Sequence, residues 1–207
     1  MKIAICTPCH GSPRLAYTAC LARMIIHAAK AGVDLEYLTA SLANLPFVRE
    51  MLVAEARKRD AVFILWIDAD QTFPEDSLER LLAADRPVIG CNIPSRFPPH
   101  APSAACAALG KVKRVQTTAE LAARGEIERV DSIGLGFCLM KTSVLDAIEG
   151  ALFQFAQGKD GHLIGEDVWL FQRLREHGVE VFVDHALSWQ IGHIREQALT
   201  HAIIQSA

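Results

Sequence analysis

The amino-acid sequence predicts an α/β domain with a mostly parallel central sheet flanked by helices. Short apolar runs alternate with amphipathic stretches through the first half of the chain, which is the rhythm of strand and crossover helix. The run AVFILWI (61–67) is apolar at every position, as a strand buried on both faces must be. Glycines and prolines stand where one element has to stop and the next begin. At 207 residues and 51% hydrophobic content the chain can bury a sizeable core and falls within the size of one domain. The expected organisation is a single domain over 1–207, with halves at 1–92 and 93–207.

The elements follow in order. Lys2 to Cys6 reads as a strand. Leu15 to Ala31 reads as a helix with Leu15, Ala19, Ala22, Ile25, Ile26 and Ala29 toward one side, stopped by Gly32. Val33 to Thr39 is a second strand, Phe47 to Arg59 a second helix and Ala61 to Ile67 a third strand. PED (74–76) then opens a helix over Ser77 to Ala84, with proline and acids where the first turn favours them. Pro87 to Asn92 is the fourth strand, and right-handed crossovers join all four. Beyond it the pattern loosens. Pro94 to Pro102 carries four prolines and reads as an ordered loop or an extended connection. TTAE (117–120) has the spacing of a capping box for a short helix ending at Gly125. Val130 to Lys141 reads as a strand holding GLG (134–136), where glycine permits a bulge or close approach of a ligand. A short helix over Ser143 to Ile148 follows, and a glycine-rich stretch from Phe155 to Gly165 reads as mobile. Glu166 to His177 is a helix capped by Gly178, and Val179 to Val183 a strand. No repeat, low-complexity tract or linker interrupts the chain.

Charge and composition exclude several functions. The net charge is −3 and the basic residues are scattered, so no broad footprint for nucleic acid or anionic membrane exists, although Lys111, Lys113 and Arg114 form a local basic spot. No apolar run approaches the ~20 residues of a membrane span, and the N-terminal MKIAICTPC is broken by Pro8 before it reaches the length of a signal core. The expectation is a cytoplasmic protein whose six cysteines stay reduced. CTPCH (6–10) has the CxxC spacing of a redox pair and the CxxCH spacing of haem attachment, but neither brings a second feature with it. A zinc site would need more ligands than His10; two thiols flanking a turn is the plainer reading.

The stretch FILWIDADQTFP (63–74) raises a sharper question, because a buried strand runs straight into two carboxylates one residue apart. In an open parallel sheet ligands collect beyond the carboxyl ends of strands, where Asp68 and Asp70 fall. Residues i and i+2 of an extended segment point the same way, and like charges that close repel unless something positive lies between them. A hard divalent cation such as Mg²⁺ or Mn²⁺ takes oxygen ligands and leaves positions open for phosphate oxygens. The plain alternative is a solvated loop whose two acids cap the next turn.

Two enzyme classes use such a pair. DADQT (68–72) matches the first motif of haloacid-dehalogenase-type phosphatases, in which Asp68 would attack phosphorus and Asp70 serve as acid and base. That motif usually lies on the first strand, however, whereas two strand–helix units precede it here, and only Lys141 stands near a strand end as the required lysine. The sequence also resembles the small bacterial and phage GT-A glycosyltransferases. ICTP (5–8) is similar to their first-strand ending, and IDAD (67–70) followed by FPED (73–76) to their metal motif and next helix. SIGLGF (132–137) resembles the acceptor-side segment, GED (165–167) the acidic motif opening a late helix, and GH (192–193) a C-terminal metal ligand. The resemblance spans residues 3 to 194 and rests on the order of motifs that are weak one by one.

It implies a Rossmann-type nucleotide-diphospho-sugar transferase fold, with residues 1–92 binding the nucleotide sugar and 93–207 facing the acceptor. A UDP- or GDP-sugar would be the donor and Mn²⁺ or Mg²⁺ the cofactor, held by Asp68, Asp70 and His193; imidazole on a hard cation suits Mn²⁺ somewhat better. Thr7, Pro8 and His10 would hold base and ribose, and Asp68 would lie toward the ribose. Arg49, in NLPFVR (44–49), and Arg96, in the proline-rich loop, would meet the diphosphate. Asp167 would deprotonate the acceptor hydroxyl, with Glu166 as the alternative base. Each has a plainer reading: a turn for Thr7 to His10, a helix surface for Arg49, a surface histidine for His193, and dipole-complementing acids for Glu166 and Asp167. Trp169 and Trp189 are candidates to stack on an acceptor, or else core. The glycine-rich 158–165 segment would close as a lid. The acceptor stays open among glycan, protein, small molecule and a hydroxylated base of phage DNA. A nucleotide-sugar binding protein without turnover is the reading from a different class.

Overall fold

The structure, a computed structural model, describes residues 1–108, 111–158 and 161–195. The chain runs β1 (Lys2–Pro8), α1 (Leu15–Lys30), β2 (Asp34–Ala40), α2 (Leu45–Lys58), β3 (Phe63–Ile67), β4 (Gln71–Thr72), α3 (Ser77–Ala83) and β5 (Val88–Gly90). It continues through a hairpin of β6 (Ala105–Ala108) and β7 (Lys111–Arg114), then α4 (Ala119–Ala123), β8 (Ile127–Val130) and β9 (Phe137–Lys141). After a 3-10 turn over Thr142–Leu145 come β10 (Ala156–Gln157), β11 (Leu163–Ile164), α5 (Glu166–Glu176), β12 (Val181–Asp184), α6 (His185–Ser188) and β13 (Gly192–His193).

The main sheet has seven strands in the order β2-β1-β3-β9-β5-β12-β8. β1 is parallel to β2 and β3, and β5 to β12. β9 lies antiparallel between β3 and β5, and β8 antiparallel beside β12. Five of the seven strands therefore point one way, so the sheet is mostly parallel with β9 and β8 reversed. The stretch expected as one strand from Val130 to Lys141 is broken. Its glycines fall in a connection that turns the chain between β8 and β9, because Gly134 and Gly136 are needed where backbone passes close to other groups. β9 fits beside β5 because Gly90 has no side chain: a Cβ there would come within 2.6 Å of Ile133 Cδ1 and 2.7 Å of the Phe137 carbonyl oxygen.

Both faces of the sheet are covered. Along β3, Ile64 and Trp66 point into a core shared with Leu52 of α2 and Phe171 of α5, while Leu65 and Ile67 point into a second core with Met24 of α1 and Leu78 of α3. Alternation with both faces apolar is what a central strand requires. The buried side of α1 is Tyr17, Cys20, Leu21, Met24 and Ala28, whereas Leu15 and Ile26 are exposed. The stripe read from the sequence was offset because Tyr17 anchors the helix: its hydroxyl meets Thr7 Oγ1 at 2.5 Å and its ring packs edge-on against Phe73. α2 begins where Asn44 Oδ1 accepts the Phe47 N–H at 3.1 Å and Pro46 sits in the first turn. Thr118, rather than Thr117, caps α4 by accepting the Leu121 N–H.

All six cysteines are free. Cys6 lies inside β1 rather than at its end, and burial pushes its thiol up to about 12; Cys9 is half-buried beyond the strand. A thiol that holds its proton so firmly is no redox nucleophile. No helix among the described residues is long and apolar enough to cross a membrane.

Candidate active site

The site gathers beyond the carboxyl ends of β1 and β3. Leaving β3, the Asp68 N–H donates to the Gly136 carbonyl at 3.0 Å, and the Asp68 carbonyl accepts from the Gln71 N–H at 3.1 Å, so the DxD segment is a fixed turn. Gly136 gives it room, since a Cβ there would lie 2.9 Å from Ile93 Cδ1 and 3.3 Å from Asp68 Oδ2. The turn feeds β4, which pairs antiparallel with β13, aligning Gly192 with Thr72 and His193 with Gln71. The Ile194 N–H then donates to the Asp70 carbonyl at 2.8 Å. A side chain at position 192 would overlap the Thr72 hydroxyl, so glycine is what lets this strand close in.

The pairing brings His193 Nε2 to 3.4 Å from Asp70 Oδ2, while its Nδ1 faces the Pro94 carbonyl at 2.9 Å. A carbonyl only accepts, so Nδ1 carries hydrogen and, in neutral imidazole, Nε2 turns a bare lone pair toward the carboxylate. Two such acceptor atoms facing one another, with the far ring nitrogen tied to a backbone carbonyl, would suit a divalent cation. The pair fits such an ion. Among the described residues no three His, Cys, Asp or Glu side chains form a ready-made cage. Arg96 sits on Asp70 Oδ2 in an ion pair, and Gln71 Nε2 donates to Asp70 Oδ1 at 3.3 Å.

Asp68 is held differently. Arg49, only 3% exposed on the buried face of α2, places Nη2 3.3 Å from Asp68 Oδ1 and Nε 3.3 Å from Glu166 Oε1. Its guanidinium also lies over the Trp66 ring at 5.2 Å. Arg49 Nη1 is buried with no hydrogen-bond partner among the described residues. Glu166 and Asp167 open α5, where the helix dipole favours their ionised forms. For Asp167 that pull loses: partial burial of its carboxylate and, after it, the charge of Glu166 raise its pKa. The Val168 N–H, donating to Asp167 Oδ1 at 2.7 Å, and the nearby Arg49 offset this only in part.

Two cavities meet here. The larger, about 410 Å³, is lined by Pro8, His10, Arg14, Asp68, Asp70 and Arg96 among others. The smaller, about 210 Å³, is lined by Arg49, Asp68, Gly136, Glu166, Asp167 and His193 among others. Asp68 belongs to both walls.

Three expected residues stand apart. Thr7 is fully buried and spent on Tyr17. Trp169 has a buried indole N–H without a partner among the described residues and lies under Arg173, 5.9 Å from its guanidinium. Trp189 is exposed beside a third cavity. Of the basic spot, Arg114 Nη1 donates to the Ser103 carbonyl at 3.2 Å. The glycine-rich segment is a hairpin of β10 and β11, in which the Gly158 N–H donates to the His162 carbonyl at 2.8 Å; residues 159–160 lie outside the described residues. The lysine a haloacid-dehalogenase phosphatase would need is at the wrong edge, since Lys141 pairs with Phe63 at the start of β3 and bonds Asp85.

Sequence reasoning missed Gln71, 1% exposed, and Arg14, whose N–H donates to the Ala69 carbonyl at 3.2 Å. Arg14 was findable, since the loop after the first strand borders any ligand at that sheet edge. Gln71 was not, because it pairs with His193, a residue from far along the chain.

No protein-family model matches the chain, and comparison with curated protein sequences gives no match. Solved structures do resemble it. The A197 protein from STIV superposes with a TM-score of 0.62 at 18% identity, covering 95% of this chain and 87% of its own. A mutant of the Drosophila beta-1,4-galactosyltransferase 7, in complex with manganese, UDP-Gal and xylobiose, gives 0.55 at 12% identity, covering 99% of this chain and 79% of its own. The chain therefore has a GT-A-like α/β fold.

Proposed function

We propose that the protein is a cation-assisted glycosyltransferase that moves a sugar from a UDP- or GDP-sugar to an acceptor hydroxyl. The observation that carries this reading is the convergence of Asp68, Asp70, Glu166, Asp167 and His193 with Arg49 and Arg96 on two adjoining cavities at the carboxyl edge of the sheet. The manganese and UDP-Gal bound to the Drosophila enzyme of the same fold support the donor class and the cation.

The larger cavity takes the nucleotide. Pro8 and His10 border the base and ribose, with Asp68 toward the ribose, and Arg96 offers donors to phosphate oxygens, while the unpartnered Nη1 of Arg49 approaches from the adjoining smaller cavity. Asp70 and His193 would hold Mn²⁺ or Mg²⁺, with the Asp68 carboxylate close by on the same wall. Such an ion, when bound, supplies positive charge against the diphosphate as it leaves.

The acceptor hydroxyl enters the smaller cavity. Its oxygen bonds to the anomeric carbon, the bond from that carbon to the diphosphate oxygen breaks, and the electron pair leaves with the diphosphate. The hydroxyl proton passes to Asp167, whose raised proton affinity makes it a stronger base than an ordinary carboxylate. Glu166, tied to Arg49, fixes the guanidinium and stands second as base. The β10–β11 hairpin, next to Gly165 and α5, serves as a lid that keeps water from the donor.

Calorimetry with Mn²⁺ followed by UDP or GDP tests the reading. Heat should appear for one nucleotide and fall by about tenfold or more in affinity in Asp70→Asn and His193→Ala. Slow release of nucleoside diphosphate from the matching sugar donor should follow. No heat with either nucleotide overturns the proposal. Hydrolysis of a simple phosphate ester that disappears in Asp68→Asn would establish the phosphatase instead.

A further inference from the structure

A third cavity, about 330 Å³, lies across the Pro94 segment, with His100, Gln116, Thr117 and Trp189 in its lining. Pro94 borders the smaller active-site cavity too, and its carbonyl orients His193, so the two spaces share a wall. Trp189 stands 58% exposed at this cavity although its backbone is fixed, the N–H donating to the His185 carbonyl at 3.1 Å. An indole exposed at a cavity, with no ring partner among the described residues, is a surface on which a ligand can stack.

The opposite side is built as deliberately. The Thr117 hydroxyl is 2.9 Å from His185 Nδ1 and receives Asn92 Nδ2 at 3.2 Å. His185 is itself fully buried, with Nε2 3.0 Å from Glu128 Oε2. Glu128, His185 and Asn92 thus fix the orientation of a hydroxyl at the cavity edge, while the neighbouring Thr118 caps the following helix. His100 Nδ1 is taken by the Ser95 carbonyl at 2.9 Å, which leaves its other nitrogen for a ligand.

The chemistry of the lining selects the ligand. Among the described residues that line it there is no Asp, Glu, Lys or Arg, so neither a phosphate nor a charged peptide finds a counter-ion. An amide, a hydroxyl, an imidazole and an indole face are the partners of a neutral ring with hydroxyls on its rim and apolar C–H groups on its face. We propose that this cavity is a carbohydrate-binding subsite that holds a pyranose unit of the acceptor, away from the hydroxyl that reacts at Asp167. The acceptor is then a glycan of at least two sugars, in preference to a protein side chain, a small alcohol or a DNA base. The inference rests on the glycosyltransferase reading.

An array of defined oligosaccharides, probed with the protein in the presence of Mn²⁺ and UDP or GDP, tests it, with calorimetry on the bound glycan. At least one oligosaccharide should bind saturably and more tightly than its constituent monosaccharides. Trp189→Ala should weaken it by about tenfold and Trp189→Phe by less, because a ring is retained. The melting temperature and the nucleotide affinity should stay unchanged in both variants. An array without a bound oligosaccharide, or one bound equally by Trp189→Ala, overturns the subsite. Nucleotide binding without glycan binding removes only the subsite, whereas absence of nucleotide binding by the parent protein removes the glycosyltransferase reading itself.

Discussion

Asp167 holds its proton more tightly in the folded protein than in the unfolded chain, because burial and Glu166 disfavour its charge. A raised acid contributes stability that is complete below its ordinary value of 3.8 and is lost as pH climbs from there through the raised value. Asp167→Asn should therefore melt no lower than the parent in acid and higher at neutral pH, the gap widening with pH in thermal scans. Turnover should run the other way, rising with pH as the base ionises and collapsing in the variant. Arg49 is a second test. Buried between Asp68 and Glu166, it leaves two uncompensated carboxylates when removed, and Arg49→Ala should lose about 3–5 kcal/mol in urea unfolding. Arg49→Lys should recover little, because a point charge cannot fork to both partners. At this scale the sequence was informative where charge stood against an apolar run: Asp68 and Asp70 announce themselves after FILWI. It named Arg49 as a candidate but was silent on its burial, since an arginine in a helix is ordinarily solvated and only the packing of α2 on β3 buries this one.

The element that brings His193 to Asp70, the pair proposed to hold the cation, is the two-residue ladder of β4 and β13. Gly192→Val would drive a branched side chain into Thr72 and force the strands apart. The expected result is a folded protein with its main sheet intact in far-UV circular dichroism but with Mn²⁺-dependent nucleotide affinity reduced by about tenfold or more. The β10–β11 hairpin offers a different measurement, because Phe155 and Leu163 are exposed on it. Chymotrypsin cleavage there should slow when Mn²⁺ and the matching nucleoside diphosphate are added together, and unchanged cleavage would remove the lid. Elements with strong periodicity, such as α2, β3 and α5, were legible to within two residues at either end. β4 and β13 were not, since two residues carry no period and their pairing joins distant parts of the chain. Nor was the reversal at β9: FCLMK is apolar like its neighbours, and direction leaves no trace in composition.

For the whole molecule, a ligand that binds only the folded state stabilises it by mass action. A nucleoside diphosphate with Mn²⁺ at about 100 times its dissociation constant should add about 2.7 kcal/mol. In a domain of this size that is a rise of about 5–11 °C in melting temperature, read by scanning fluorimetry, with no rise in Asp70→Asn. The α/β class was legible because strand and helix periods alternate cleanly as far as β5. Residues beyond 92 contribute to the same sheet and cavity as those before it: β9 enters the sheet between β3 and β5, and Arg96 closes the larger cavity over Asp70. Chain order adds a temporal dimension. Every strand of the seven-stranded sheet precedes β13, so a polypeptide emerging from the ribosome can complete its scaffold before His193 arrives. On the proposed reading, His193 is the last of the candidate residues to be placed, so cation binding has to wait for a sheet whose strands are already paired.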